Sequence, residues 1–117
     1  MINIRKANKS VVEFLNLPVE FIEIYEMVKD DSVIGYGVIN QDIRNMITIY
    51  ILEEYRGNGY GKILFELIIE KIKELGYKEI FLTFDKNNIM MKKIVVAKSG
   101  LEISIDNDKV TFVIPVK

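Results

Sequence analysis

The sequence predicts an α+β fold. Three observations carry it: short apolar runs broken by turn residues through the first half, an amphipathic helical pattern entered from a glycine-rich turn, and a second helical pattern followed by two closing strands. The predicted order is β, short helix or loop, β, β, β, α, β, α, β, β.

Met1 to Arg5 reads as a short strand. Lys6 to Pro18 reads as a loop or short helical turn, because Val11, Val12, Phe14, Leu15 and Leu17 form an apolar patch that Pro18 ends. Glu20 to Val28 alternates as a strand should, and Asp30-Asp31-Ser32 is a turn. Val33 to Ile39, carrying Gly35 and Gly37, and Met46 to Leu52 complete an antiparallel meander. Ile63, Leu64, Leu67, Ile68, Ile72 and Leu75 then follow the helical period, and Gly76 closes that helix. Glu79 to Phe84 is a buried strand. Asn88 offers an N-cap for a helix to about Ser99, ended by Gly100. Leu101 to Ile105 and Val110 to Val116, joined through Asp106-Asn107-Asp108, make a last hairpin.

No linker, repeat or low-complexity tract divides the 117 residues, so a single domain, 1–117, is expected. Hydrophobic residues make up 50% of the chain. Their runs are far shorter than the ~18 to 20 residues of a membrane span, and Arg5, Lys6 and Lys9 precede no signal-type apolar run. A soluble protein is expected, and the absence of cysteine suits the cytoplasm. Without cysteine there are no disulfides, thiolate metal sites or cysteine nucleophile. Without histidine the commonest metal ligand and the usual general base are gone too, so no metal is expected. Proton transfer is left to carboxylates, tyrosines, water or backbone. Sixteen basic against seventeen acidic residues, a net charge of −1, argues against nucleic acid, which needs a basic face.

Between Leu52 and Ile63 lies the run Arg56-Gly57-Asn58-Gly59-Tyr60-Gly61-Lys62. A strand, a glycine turn and a helix start bring backbone N–H groups and the positive end of a helix dipole to one point, which suits phosphate. The nucleotide loop G-x-x-x-x-G-K-[ST] fails because Ile63 follows Lys62. The dinucleotide fingerprint G-x-G-x-x-G fails because the glycines run G-x-G-x-G. A Gly-Asn-Gly run can also be a tight turn with no ligand, although three alternating glycines exceed what a turn requires.

Arg56-x-x-Gly59-x-Gly61 resembles the [RQ]-x-x-G-x-[GA] signature of the GNAT superfamily of N-acetyltransferases. Ile51-Leu52-Glu53-Glu54-Tyr55-Arg56 is similar to its V-x-P-x-Y-R run, with Glu53 in place of proline. The resemblance extends in element order from about Phe21 to Leu101. It implies a mixed, mostly antiparallel, twisted sheet with helices packed on it, and acetyl-CoA as cosubstrate for direct attack by a primary amine in a ternary complex. The main chain of Ile49, Tyr50 and Ile51 would meet the pantetheine and acetyl group. Arg56, Gly57, Asn58, Gly59, Tyr60, Gly61 and Lys62 would hold the pyrophosphate. Lys92 and Lys93, with Lys86 and Lys98 nearby, are candidates for the coenzyme's 3′-phosphate, against a solvated helix face.

The superfamily often writes N-x-x-A-x-x-L-Y-x-x-x-G-F on its later helix, with the tyrosine as general acid. Counting back from Gly100 puts Val96 at that tyrosine, so the usual acid is absent. Tyr50, Tyr36 and Ser99 are substitutes. Glu20, Glu23, Glu53 and Glu54 are candidate bases, with Glu53 and Tyr50 the pair to test first. About a dozen residues stand where the superfamily has two helices, which implies an open or oligomer-completed acceptor site and leaves a homodimer open. The alternative class is a catalytically degenerate acyl-CoA-binding or regulatory module.

Overall fold

The computed structural model describes residues 2–8, 22–41 and 45–116, apart from the side chain of Ile22. The strands are β1 Ile2–Lys6, β2 Ile22–Lys29, β3 Ser32–Asn40, β4 Met46–Ile51, β5 Glu79–Asp85, β6 Leu101–Asp106 and β7 Lys109–Pro115. The helices are α1 Tyr60–Glu74 and α2 Ile89–Ala97, and a short 3₁₀ turn spans Glu53–Tyr55. The predicted loop between Lys6 and Pro18 falls largely outside the described residues, as does Glu20.

The β-branched and aromatic content of runs such as Ile47-Thr48-Ile49-Tyr50-Ile51 suits a pleated, half-buried surface. Seven strands form one sheet in the order β1-β2-β3-β4-β5-β7-β6. Every neighbouring pair is antiparallel except β4 and β5, which run parallel. A parallel pair needs a crossover, and α1 supplies it.

α1 starts three residues before the periodic pattern that predicts it. Glycine carries no periodic signal, yet Gly59 caps the helix from the left-handed region at φ 81°, and Tyr60-Gly61-Lys62 form the first turn. The buried stripe of α1, Leu64, Phe65, Ile68, Ile69 and Ile72, packs on the sheet. The approach is close at Gly37 of β3, where a Cβ would lie 2.5 Å from Ile68 Cδ1. Any larger residue there would force helix and sheet apart.

α2 lies on the same face. Its Val95 is fully buried in the same core as Phe65, Leu82 and Phe112, and Lys98 reaches Glu66 of α1 at 2.7 Å. The opposite face of the sheet buries Ile24, Val28, Val38 and Phe81. Asn88 caps α2 as the sequence predicts, its side chain accepting the Met91 N–H at 3.1 Å.

Tyr25 is 4% exposed and donates its hydroxyl to Glu23 Oε2 at 2.9 Å. Burial, and then the Glu23 carboxylate, hold its ionisation far above the usual tyrosine range. The folded pKa is raised, so this contribution to stability is intact below the unfolded value of about 10 and is lost as pH climbs past it. With no histidine to titrate, the melting temperature is expected to be flat between about pH 7 and 9 and to fall above about pH 10. Thermal melts of wild type and Tyr25→Phe check this. The variant should fall less steeply, and equal slopes would remove Tyr25 from the account.

Candidate active site

The site begins with a failure of strand pairing. β4 and β5 are in register only at Met46↔Phe81 and Ile47↔Leu82, and beyond those residues the two strands part. On its other side β4 stays paired with β3 through Ile51↔Gly35, and Leu52 donates its N–H to the Ile34 carbonyl at 3.0 Å. Main-chain groups alternate in direction along an antiparallel ladder. Thr48 and Tyr50 therefore direct theirs to β3, while Ile49 and Ile51 turn theirs into the gap toward β5. An extended ligand can pair with those groups as an added strand would.

The end of the gap meets the glycine turn. Gly57 and Gly59 both hold φ 81°, with Asn58 between them outside the positive region, the alternation that builds an anion-binding concavity. The first intrahelical hydrogen bond of α1 is from Ile63 to Gly59 at 3.4 Å, and no side chain caps the helix. The N–H groups of Tyr60, Gly61 and Lys62 precede that bond, so they point out of the helix end. A Cβ at Gly57 or Gly59 would find nothing within 4 Å, so the space before the turn is open.

A cavity of about 290 Å³ occupies this corner. The turn and Ile51 form one wall, Tyr55 and Tyr60 contribute rings, and Asn88, Met90, Met91 and Ile94 of α2 close the other side. A larger groove, about 570 Å³, lies between β1, β2 and the later half of α1. Its lining mixes Arg5, Lys6 and Lys71 with Glu23, Glu70 and Glu74 and lacks any helix start, whereas the smaller cavity is built on one.

Arg56 joins strand end to turn. Its Nε donates to the Ile51 carbonyl at 2.8 Å and its guanidinium carbon sits 5.4 Å from the Tyr50 ring centre, while the side chain also lines the cavity. Asn58 acts within the turn: its side-chain amide donates to the carbonyls of Tyr55 and Arg56 at 3.1 and 3.2 Å, and it does not line the cavity. Lys62 lines it. Lys86, Lys92, Lys93 and Lys98 do not, and Lys98 is paired with Glu66. Tyr55, the tyrosine of the V-x-P-x-Y-R run, also lines the cavity, a role the sequence reading did not give it.

Tyr36 and Tyr50 are cross-strand partners on the face opposite the helices, and Tyr36 in turn faces Glu26. Burial, then the Glu26 carboxylate, push the Tyr36 hydroxyl above its ordinary value. Glu53 and Glu54 are exposed on the 3₁₀ turn, lining a shallow depression with Tyr50 and Leu52. Glu23, by contrast, accepts from Tyr25 beside β1, away from the end of β4. Ser99 is exposed past the end of α2 and does not line the cavity.

The later helix is offset from the count made on sequence. Its left-handed C-terminal residue is Ser99, at φ 66°, and Gly100 follows with its N–H on the Val95 carbonyl at 2.8 Å. Counting back from Ser99 places Asn88 at the asparagine and Val95, not Val96, at the tyrosine. Val95 is fully buried, whereas Val96 is 55% exposed and outside the cavity. On either count, no tyrosine stands on α2. Val96→Tyr is accordingly expected to leave kcat and coenzyme affinity within about twofold, whereas Val95→Tyr should lose ~1 to 3 kcal/mol by overpacking. Steady-state rates and melts of the two variants check this.

A parted strand pair leading to a glycine-built helix start offers main-chain groups to an extended ligand and N–H groups to an anion at its end. The family model of the acetyltransferase (GNAT) family matches residues 8–93, and the chain belongs to that family. It is an acetyltransferase that uses acetyl-CoA. Among solved structures it is similar to an IAA acetyltransferase from Bacillus cereus, with a TM-score of 0.78, 15% identity, and 98% of this chain and 99% of that one covered. It also resembles the ribosomal-protein-S18-alanine N-acetyltransferase of Escherichia coli, with a TM-score of 0.78, 11% identity and coverage of 100% and 95%. A Bacillus subtilis acetyltransferase in complex with CoA gives a TM-score of 0.76 at 17% identity, covering 100% of both chains. Comparison with curated protein sequences returns no match. No described helix is long and apolar enough to cross a membrane, and no group of possible metal ligands occurs among the described residues.

Proposed function

We propose that the chain transfers the acetyl group of acetyl-CoA to a primary amine by direct attack in a ternary complex. The observation that carries this is the cavity at the glycine turn, which reaches Ile51 at the end of β4, where β4 has already parted from β5. In this reading Gly57, Gly59, Gly61, Arg56 and Lys62 hold phosphate in that cavity, and the main chain of Ile49 and Ile51, turned into the gap, meets the pantetheine and acetyl group. The coenzyme supplies an activated acyl group as its thioester. The Ile49 N–H, directed into the gap, is the donor for the carbonyl oxygen as charge develops on it. α1 and α2 close the helix face, so the amine approaches from the opposite face, where Tyr50, Glu53 and Glu54 surround the end of β4.

A lysine-like amine of pKa ~10.4 is neutral in only about one molecule in 10³ at pH 7, so a base must take its proton. Glu53, through water, fills that role in this reading, and Tyr50 returns a proton to the leaving thiolate. Holding both reactants in the split supplies the larger part of the acceleration.

The other reading, a binding module without turnover, is favoured by the absence of any tyrosine on α2. A thiol-release assay with acetyl-CoA over polyamines, amino acids, aminoglycosides and peptides separates the two. Release with an amine, lost in Glu53→Gln or Tyr50→Phe at unchanged coenzyme affinity, supports the proposal. Coenzyme binding without release across the whole panel supports the module.

A further inference from the structure

The glycine turn has a weakness that its sequence does not resolve. Glycines flank Tyr60 on both sides, and Gly59 caps α1 without a side-chain hydrogen bond, so neither neighbour fixes the direction of the first helical N–H groups. Tyr60 is the single bulky side chain between Gly57 and Gly61. Its ring is half-buried against the core, and Tyr55 meets it edge-to-face at 6.4 Å and 72°. The third restraint comes from far along the chain. Lys29, the last residue of β2, donates from Nζ to the Tyr60 hydroxyl at 2.9 Å, with the ammonium 5.4 Å from the ring centre. Lys29 is in register with Ile2 of β1 and Ser32 of β3, so its main chain is anchored in the sheet.

We propose that Lys29 is a positioning residue for acetyl-CoA: bonded to the Tyr60 hydroxyl, it ties the first turn of α1 to the sheet and holds the Tyr60, Gly61 and Lys62 N–H groups at the phosphate. This rests on the reading that the turn holds the coenzyme. A lysine suits the task because a flexible stem lets a compact charge reach the phenol oxygen, and the ammonium keeps two further donors. The same charge adds to the positive potential of the helix start. Lys29 does not itself line the cavity, so it acts through Tyr60.

Calorimetric affinity for acetyl-CoA, with melts of the free proteins, tests this on wild type, Lys29→Met, Lys29→Arg, Tyr60→Phe, the Lys29→Met/Tyr60→Phe double variant, Lys71→Met and Gly59→Ala. Lys71 is the matched control, a lysine 5.5 Å from the ring of Tyr25 and remote from the turn. Lys29→Met and Tyr60→Phe should each weaken acetyl-CoA by roughly three- to tenfold with little change in melting temperature. The double variant should be no weaker than either single one, since both remove one contact. Lys29→Arg should retain most of the affinity, and Lys71→Met all of it. Wild-type affinity in Lys29→Met, additive losses in the double variant, or an equal loss in Lys71→Met would each overturn the assignment. Unchanged affinity in Gly59→Ala as well would instead bring down the reading of the turn.

Discussion

Gly61→Ala is expected to make the protein more stable and acetyl-CoA much less tightly bound. Gly61 is the second residue of α1 and its φ is not positive, so alanine meets no conformational penalty. Replacing glycine in a helix adds about 0.4 to 1 kcal/mol of stability. The new Cβ would lie 4.0 Å from Ile51 Cγ1, a contact without clash, in the space between the helix start and the free end of β4. In the proposed binding mode that space is the coenzyme's path. Hydrogen bonds to charged groups contribute ~1.5 to 3 kcal/mol, so blocking the approach should weaken binding about 10- to 100-fold. Gly59→Ala should weaken binding comparably while destabilising, because its φ of 81° costs a side chain on the order of 1 kcal/mol. Opposite signs in the melts with the same sign in calorimetry identify a ligand site. If both variants bind as wild type does, the run is only a turn.

The second large effect is expected at Arg56. Its Nε is held by the Ile51 carbonyl and its guanidinium lies by the Tyr50 ring, so the side chain is fixed beside the cavity before any ligand arrives. Pre-organisation of this kind lowers the ordering cost of binding. Arg56→Ala should weaken acetyl-CoA by roughly tenfold or more, with the wild-type advantage shrinking as salt is raised. Arg56→Lys should recover little, because an ammonium cannot serve the carbonyl and a phosphate with fixed, forked geometry. Full recovery by lysine would reduce Arg56 to a general positive charge.

The legible parts of this protein were those with short sequence range. The meander, the hairpin, both helices and the glycine turn are each fixed by spacing within a dozen residues, and of the motif's Arg56 through Lys62 all but Asn58 line the cavity. The start of α1 was hidden because glycines at 59 and 61 carry no apolar signal. The offset in α2 was hidden because Ser99, rather than Gly100, takes the left-handed position, and serine gives no warning of it. Lys29 was invisible for another reason: it meets Tyr60 across 31 residues of chain, and nothing local marks a lysine at the end of a strand as a partner for a helix start.

The parting of β4 from β5 has a consequence for how the molecule holds together. Within the sheet, among the described residues, two register pairs join β1–β4 to β5–β7, and each of those groups is otherwise an antiparallel unit of its own. α1 packs on β1, β3 and β4, α2 leads into β6, and one apolar core joins the two groups on the helix face. The sheet thus has a seam, and local opening is cheapest where few pairs must break. A coenzyme lying between α1 and α2 crosses that seam and makes contacts on both banks. Acetyl-CoA bound there is expected to act as a staple: amide exchange at Ile47, Phe81 and Leu82 should slow in its presence.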